Sequence, residues 1–119
     1  MSPEEQKLAL DLAYQPLDLG PITLSNRFIK AGANENMALR GLPTKALVKH
    51  HEALARGGVG LTTVAYLSVT KDGRTLPDQL WLSEEAVPAL RVVTDAVHAV
   101  GGKIAAQITH GGSFVTGIF

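Results

Sequence analysis

The strongest constraint on the fold is a segment that occurs twice: Ala55-Arg56-Gly57-Gly58-Val59-Gly60-Leu61, then Ala99-Val100-Gly101-Gly102-Lys103-Ile104-Ala105, a shift of 44 positions from Gly57 to Gly101. Each copy closes an amphipathic stretch with a Gly pair and opens a β-rich run. Glycine suits the left-handed residue that ends a helix, so the repeat predicts helix, tight turn and strand, used twice. That order belongs to a parallel α/β sheet, in which ligands bind at the carboxyl ends of the strands and not at the helix-to-strand turns. The Gly pairs are therefore expected to be scaffold, with the functional residues just beyond each strand.

Composition narrows the partners. A chain of 119 residues with 45% hydrophobic content has single-domain length and enough apolar residues for a core. Its 11 basic and 11 acidic residues cancel and neither sign clusters, which gives no electrostatic basis for binding nucleic acid or an anionic membrane. A small-molecule partner is expected. The absence of cysteine excludes a disulfide framework, a thiolate metal site and a thiol nucleophile, and it fits a reducing compartment. Glu4, Glu5, Lys7 and Asp11 stand where a signal peptide would need an apolar stretch, so a cytoplasmic location is expected. The longest weakly polar run, Val59 to Val69, is too short and too rich in Thr and Ser to span a bilayer.

Read in order, residues Pro3 to Leu12 predict a short helix, and Leu17 to Leu24 a small hairpin about Gly20-Pro21. Phe28-Ile29-Lys30-Ala31 is the first candidate core strand, and Gly32 to Pro43 reads as a polar loop. Thr44 is placed to cap a helix over Lys45–Arg56, with Leu47, His51, Leu54 and Ala55 on one face. Val59 to Leu67 is β-branched and nearly free of charge, as expected of a buried parallel strand. A long loop runs through Lys71-Asp72-Gly73-Arg74 to Leu82, after which Ser83 is expected to cap a second helix with Glu84 and Glu85 in its first turn. The face of that helix is Ala86, Leu90, Val93, Val97 and Val100, with Pro88 early enough to be tolerated. Lys103 to Thr109 is the third strand, leading into His110-Gly111-Gly112, and residues 113–119 carry no recognisable stop signal.

The order is a hairpin followed by βαβαβ. Right-handed crossovers put both helices on one side of the sheet, which suits a barrel wall better than an open sheet covered on both faces. Gly32-Ala33-Asn34-Glu35, after the first strand, is not the Gly-rich fingerprint of a doubly wound nucleotide fold. Residues 1–26 are assigned to an N-terminal helix and hairpin, and 27–119 to the strands and helices of the barrel.

Several polar residues have bland explanations. His50-His51-Glu52 resembles a metal cluster in writing, but adjacent helical residues point about 100° apart, so no metal site is expected there. Partial burial of His51 and solvation of His50 are expected instead. His98, beside the apolar face of the second helix, reads as a packed or capping histidine. Glu35 and Asn36 lie on the strand-end side, where substrate contacts occur, but polar loop residues are usually solvated. Asp72-Gly73-Arg74 is a turn signal, with Arg74 placed to anchor the loop.

Three separated motifs carry a resemblance. Leu24-Ser25-Asn26-Arg27-Phe28-Ile29-Lys30-Ala31, Ala55-Arg56-Gly57-Gly58-Val59-Gly60-Leu61, and Thr94-Asp95-Ala96-Val97-His98 leading to Gln107-Ile108-Thr109-His110-Gly111-Gly112 resemble the N-terminal part of the old yellow enzyme family, the FMN-dependent NADH:flavin oxidoreductases. The resemblance runs from about Leu17 to His110 and implies a (β/α)8 barrel with FMN at its C-terminal mouth. NAD(P)H would reduce the flavin, which would pass hydride to an activated alkene or related electrophile. It implies Ala31, Gly32, Ala33 and Asn34 as flavin neighbours after the first strand, where small residues let the backbone approach a flat ring. Asn34 stands where the family usually has Thr or Cys. After the second strand, Val64-Ala65-Tyr66 replaces the family's Thr-Glu pattern, so either Ala65 makes the close approach or Tyr66 contributes its backbone. Gln107 offers one acceptor and two donors, matching the alternating groups on the pyrimidine edge of a flavin. On its residue type alone, Gln107 reads rather as an amide capping backbone at the barrel rim, and it is the resemblance that turns the reading toward the flavin. His110 falls on the substrate side, and Ser113 follows where the family often has Arg.

A barrel of this kind typically needs about 250 residues. Three strands and two helices are not expected to close one, and their free edges call for remaining barrel segments or a self-association partner. The family's substrate-binding His/Asn pair, proton-donating Tyr and phosphate-holding segments would lie further along, so no catalytic residue is assigned. The expected function is FMN-dependent oxidoreduction. The alternative is a non-catalytic half-barrel or interaction module that binds no flavin alone.

Overall fold

The computed structural model describes residues 1–115, so 116–119, the end of the segment read as lacking a stop signal, lie outside the described residues. The first helix, α1 (Pro3–Ala13), is set by its cap: Ser2 Oγ accepts from Glu5 N–H at 3.1 Å, and Glu5 Oε2 accepts from Ser2 N–H at 2.6 Å. No residue of α1 is buried. β1 (Leu17–Asp18) and β2 (Thr23–Leu24) form the expected antiparallel hairpin, which buries Leu24.

The parallel sheet is built around β6 (Leu61–Ser68). β3 (Ile29–Lys30) pairs with its start, Ile29 opposite Leu61, and β7 (Leu80–Trp81) with its end, Leu67 opposite Leu80. β8 (Ile104–Thr109) runs along the other edge, from Thr62 opposite Ile104 to Ser68 opposite Thr109, with a register shift between Val64 and Leu67. α2 (Lys45–Arg56) and α3 (Ala86–Ala99) pack on each other and on one face of this sheet, as right-handed crossovers require. The core between the layers holds Leu47 of α2, Val64 and Leu67 of β6, Leu80 of β7 and Val93 of α3.

Both Gly pairs sit where the repeat predicts, and each supplies one left-handed residue, Gly58 at φ +94° and Gly101 at φ +80°. Gly102 has a different duty: a methyl there would come within 2.8 Å of Ala55 Cβ and Val97 Cγ1. It lets the chain after α3 pass close against α2.

The structure departs from the sequence expectations at several points of the fold, and the second strand runs Leu61–Ser68 and not Val59 to Leu67. The first strand spans Ile29–Lys30 and not Phe28 to Ala31. The polar loop contains a hairpin, β4 (Ala38–Leu39) and β5 (Leu42–Pro43), turned by Arg40 and Gly41 at φ +54° and +79°. Positive φ at both central residues is the turn that matches the twist of paired strands. β7 interrupts the second loop. α3 starts at Ala86: Ser83 Oγ does accept from Ala86 N–H at 3.1 Å, but Glu84 and Glu85 form a turn ahead of the helix. His98 is exposed and not packed, because the apolar stripe of α3 runs through Ala86, Val93 and Val97.

Gly41 combines left-handed backbone with contact against the Trp81 indole, which a methyl would overlap. Gly41→Ala is expected to lower unfolding stability by about 1–3 kcal/mol, through handedness and overpacking together. The urea midpoint of the chain is the measurement.

Candidate functional site

All the parallel strands point their carboxyl ends the same way, and the residues that follow them meet there. Gly32 follows β3, and a Cβ on it would overlap Gln107 Oε1 of β8 and lie 2.7 Å from its Cδ. Absence of a side chain at 32 is therefore what lets the Gln107 amide lie across the first strand end. Gln107 is exposed, and among the described residues its amide has no hydrogen-bond partner. Tyr66, Gln107 and His110 line a cavity of about 330 Å³ together with Thr75, Gln79 and Thr109.

One wall of this cavity was not legible as such in the sequence. Gln79 is 2% exposed; its Oε1 accepts from Thr75 N–H at 3.0 Å and from Thr75 Oγ1 at 3.1 Å, and its Nε2 donates to Thr109 Oγ1 at 3.4 Å. It links the long loop to the end of β8. Arg74 anchors that loop as expected, Nε donating to Lys71 O at 2.9 Å and a terminal nitrogen to Pro77 O at 3.1 Å. His110 is exposed, with Nδ1 accepting from Gly112 N–H at 2.9 Å, and its ring packs over Gly73. Nearby, the exposed Asp72 carboxyl is held below its ordinary range by a hydrogen bond from Thr70, then by its own backbone, with a smaller contribution from His110.

The first strand end presents Ala31 and Ala33 exposed, with Gly32 and Asn34 half-buried. Asn34 Oδ1 accepts from Asn36 N–H at 3.2 Å, bracing a turn in which Asn36 has φ +53°. Ala65 is 2% exposed, while Tyr66 keeps partial access. The peptide between them is cis.

Glu35 overturns the expectation of a solvated loop carboxylate. Its side chain is 4% exposed, and Oε2 lies 2.8 Å from Lys30 Nζ, 2.7 Å from His51 Nε2 and 3.3 Å from His50 Nε2. The approach from His51 is short but outside hydrogen-bond geometry, leaving Nε2 in close polar contact with the carboxylate without a hydrogen bond. His51 Nδ1 is 2.7 Å from Thr62 Oγ1. Glu35 Oε1 accepts from Ala65 N–H at 3.0 Å, and Glu35 N–H donates to Ala65 O at 2.9 Å. Lys30 Nζ also donates to Thr63 O at 2.9 Å. Burial pushes the Glu35 carboxyl up, but His51, Lys30 and the Ala65 N–H together outweigh it and leave it below its ordinary value.

His51 is thus fully buried where partial burial was expected, and His50 leans on the carboxylate where solvation was expected. Both imidazoles turn toward Glu35 and meet edge-to-face at 5.1 Å, overcoming their angular separation on α2. Glu52, the sequence neighbour, bonds Arg56 instead at 2.8 Å. Donor atoms of Glu35, His50 and His51 lie within 4.8 Å of one another, a spacing that a metal ion accepts. The Lys30 ammonium sits on the same carboxylate oxygen, however, and already answers its charge.

A family model described as the NADH:flavin oxidoreductase / NADH oxidase family matches residues 13–116. The chain belongs to this family. It is 48% identical over 99 residues to the 4,4'-dithiodibutanoate disulfide reductase of Rhodococcus erythropolis, covering 83% of this chain and 25% of that enzyme. It is 35% identical over 112 residues to the N,N-dimethylglycine/sarcosine dehydrogenase of Chromohalobacter salexigens, covering 88% of this chain and 16% of that one. Among solved structures, the old yellow enzyme from Trypanosoma cruzi superposes with a TM-score of 0.77 at 27% identity, over 86% of this chain and 28% of that one. The chain therefore spans about 15% to 30% of the relatives it matches in sequence, and its fold is part of their barrel. The family's enzymes use FMN, with NAD(P)H as reductant, and a morphinone reductase of the same fold is solved in complex with tetrahydroNAD. Among the described residues no helix is long and apolar enough to cross a membrane.

The depressed Glu35 carboxyl gives a pH prediction with a definite sign. A folded-state value below the unfolded one, about 4.5, adds stability that is complete above that value and is lost as pH falls through the lower native one. Acid titration of unfolding stability should therefore slope downward below about pH 4.5 in the native chain. Glu35→Gln should flatten that limb while lowering the neutral plateau, since it leaves Lys30 without its counter-charge.

Proposed function

We propose that this chain supplies the ring-facing wall of an FMN site in a cytoplasmic, NAD(P)H-dependent oxidoreductase acting on a small electrophilic molecule. The observation that carries the reading is the meeting of Gly32 and Gln107 at the strand ends. A side-chain-free backbone beside an unengaged primary amide is what the edge of a flat, polar ring requires: close approach on one side, alternating donors and acceptors on the other. The residues therefore fit the group that the family binds. When bound, FMN accepts hydride from the nicotinamide and passes it to the substrate.

The roles of the chain's own groups follow. Gln107 pairs its amide with the ring edge, and Ala31, Gly32 and Ala33 admit the ring against their backbone. Asn34 has its carbonyl oxygen committed to Asn36, so it offers the site its amide N–H groups. Ala65 has both backbone groups committed to Glu35, which leaves Tyr66 as the residue of β6 that faces the ring. His110 stands on the substrate side of the same cavity. No metal is assigned to Glu35, His50 and His51, because Lys30 neutralises the carboxylate. Nothing in the charge balance favours nucleic acid or membrane as a partner.

A second reading rests on the edge of β8 that pairs with no strand among the described residues, together with the 54% exposed Ile108: a half-barrel or interaction module that binds no flavin by itself and associates with further barrel segments or another copy. An absorbance spectrum with added FMN separates the two. The flavoenzyme reading expects a yellow protein that retains FMN through gel filtration. A protein that stays colourless rejects the first reading for this chain.

Where FMN is retained, Gln107→Leu keeps the approximate volume and deletes the amide. It is expected to weaken FMN binding by about 1–3 kcal/mol, the cost of leaving ring-edge polar groups unpaired, in a flavin-fluorescence titration. Unchanged affinity would remove Gln107 from the site.

A further inference from the structure

A strand buried against helices must satisfy every backbone polar group, and β6 fails to do so by pairing alone. On the edge that faces β3 and β7, no strand among the described residues registers with Thr63 to Tyr66, because β3 pairs with Leu61 and Thr62 and β7 with Leu67 and Ser68, while the ladder on the other edge, with β8, shifts between Val64 and Leu67. Ala65 is buried nonetheless. An unpaired buried N–H or C=O costs about as much as a lost hydrogen bond, and Ala65 would leave both. Glu35 answers both: its N–H donates to Ala65 O at 2.9 Å, and its carboxylate accepts from Ala65 N–H at 3.0 Å.

The carboxylate is in turn held from the far side. Lys30 brings an ammonium to Oε2 and donates to Thr63 O, two residues before Ala65 on the same edge of β6. His51, fully buried on α2, packs its Nε2 on the same oxygen and its Nδ1 on Thr62. Residues of the first strand, the helix and the central strand therefore converge on one anion, 4% exposed, whose other oxygen fixes Ala65. The next residue along β6 is Tyr66, which lines the mouth cavity with Gln107.

We propose that Glu35 is a positioning residue: a charged clamp that holds this segment of β6 so that Tyr66 meets the mouth of the sheet in one orientation. The flavin consequence rests on the reading proposed above. Glu35 itself touches no reacting group; it acts through Ala65. Replacing it by a group that keeps an acceptor for Ala65 should preserve the arrangement even without charge, whereas removing the acceptor should not.

The test uses the full chain in three forms: native, Glu35→Ala, and the double variant Lys30→Met/Glu35→Gln, which removes both charges but keeps a carbonyl oxygen for Ala65. Circular dichroism first establishes that each is folded. Backbone amide exchange then reads the clamp without any flavin. The Ala65 N–H should be protected in the native and double-variant chains and exchange roughly tenfold faster or more in Glu35→Ala, the size expected from losing one buried hydrogen bond. With FMN, the flavin absorption bands should be the same in native and double variant, and shifted in Glu35→Ala with affinity roughly tenfold weaker.

Protection of Ala65 that survives in folded Glu35→Ala overturns the proposal, as does loss of protection in Glu35→Ala with flavin bands and affinity unchanged. Should the double variant fail to fold, Glu35→Gln alone takes its place, with the same expectation for Ala65. A native chain that takes up no FMN defeats the flavin reading, not the clamp. The exchange of Ala65 alone then decides whether Glu35 holds this segment.

Discussion

The gap on one edge of β6, between the end of β3 and the start of β7, is the constraint around which the molecule is arranged. β6 is central in the sheet and covered by two helices, so a gap beside it falls where water cannot repair it. A first strand reaching as far as Ala65 would have needed no Glu35. With the gap, a carboxylate has to enter the interior to serve Ala65, and a buried carboxylate needs cations and donors around it. Lys30 and the paired imidazoles of α2 meet that need. One gap beside a strand thus accounts for an otherwise costly cluster of four polar side chains beneath the sheet's mouth.

That cluster also explains the uneven legibility of the sequence. Features that repeat with a period were readable: the two Gly-terminated helices, the apolar faces Leu47-His51-Ala55 and Ala86-Val93-Val97, and the β-branched run of β6. Two-residue strands have no period, which is why β7 and the β4–β5 hairpin look like loop in the sequence. Arg40-Gly41 did carry a turn signal, but Arg is rarely left-handed and so masks it. Glu35 was unreadable for a different reason. Its burial depends on α2 folding back over the first strand end, a tertiary event that no local window contains. The one local hint was His51, a polar residue occupying a position that the helical period assigns to the core.

Size of cavity and position of chemistry part company at the two ends of the sheet. The more spacious hollow, about 510 Å³, lies at the helix-to-strand end among Gly58, Gly60, Gly101 and Gly102. Its lining sets the glycines that let α2 and α3 turn back into the sheet beside Thr23, Ser25, Arg56 and Lys103, on the side of the sheet away from the strand carboxyl ends. The smaller cavity at the other end presents amide, hydroxyl, phenol and imidazole groups together. Recognition of a polar ligand depends on directed donors and acceptors far more than on volume, and strand carboxyl ends supply them because each strand delivers a different loop there.

On the flavin reading proposed above, Gln107 belongs to a wall separated from the rest of its site. A side-chain amide at a rim has cheap local options: it can fold back on a neighbouring carbonyl or cap a turn, as Asn34 does for Asn36. Gln107 does neither. It projects over Gly32, on the mouth side of a strand whose outer edge pairs with no strand among the described residues. Holding an amide free costs little while water reaches it, and the benefit appears only when a polar edge arrives in a space that excludes water. In the barrel of the family, neighbouring strands and helices would provide that exclusion. The fragment of sheet seen here sets the direction of the donors and acceptors. How strongly they bind is then governed by how much further protein closes over them.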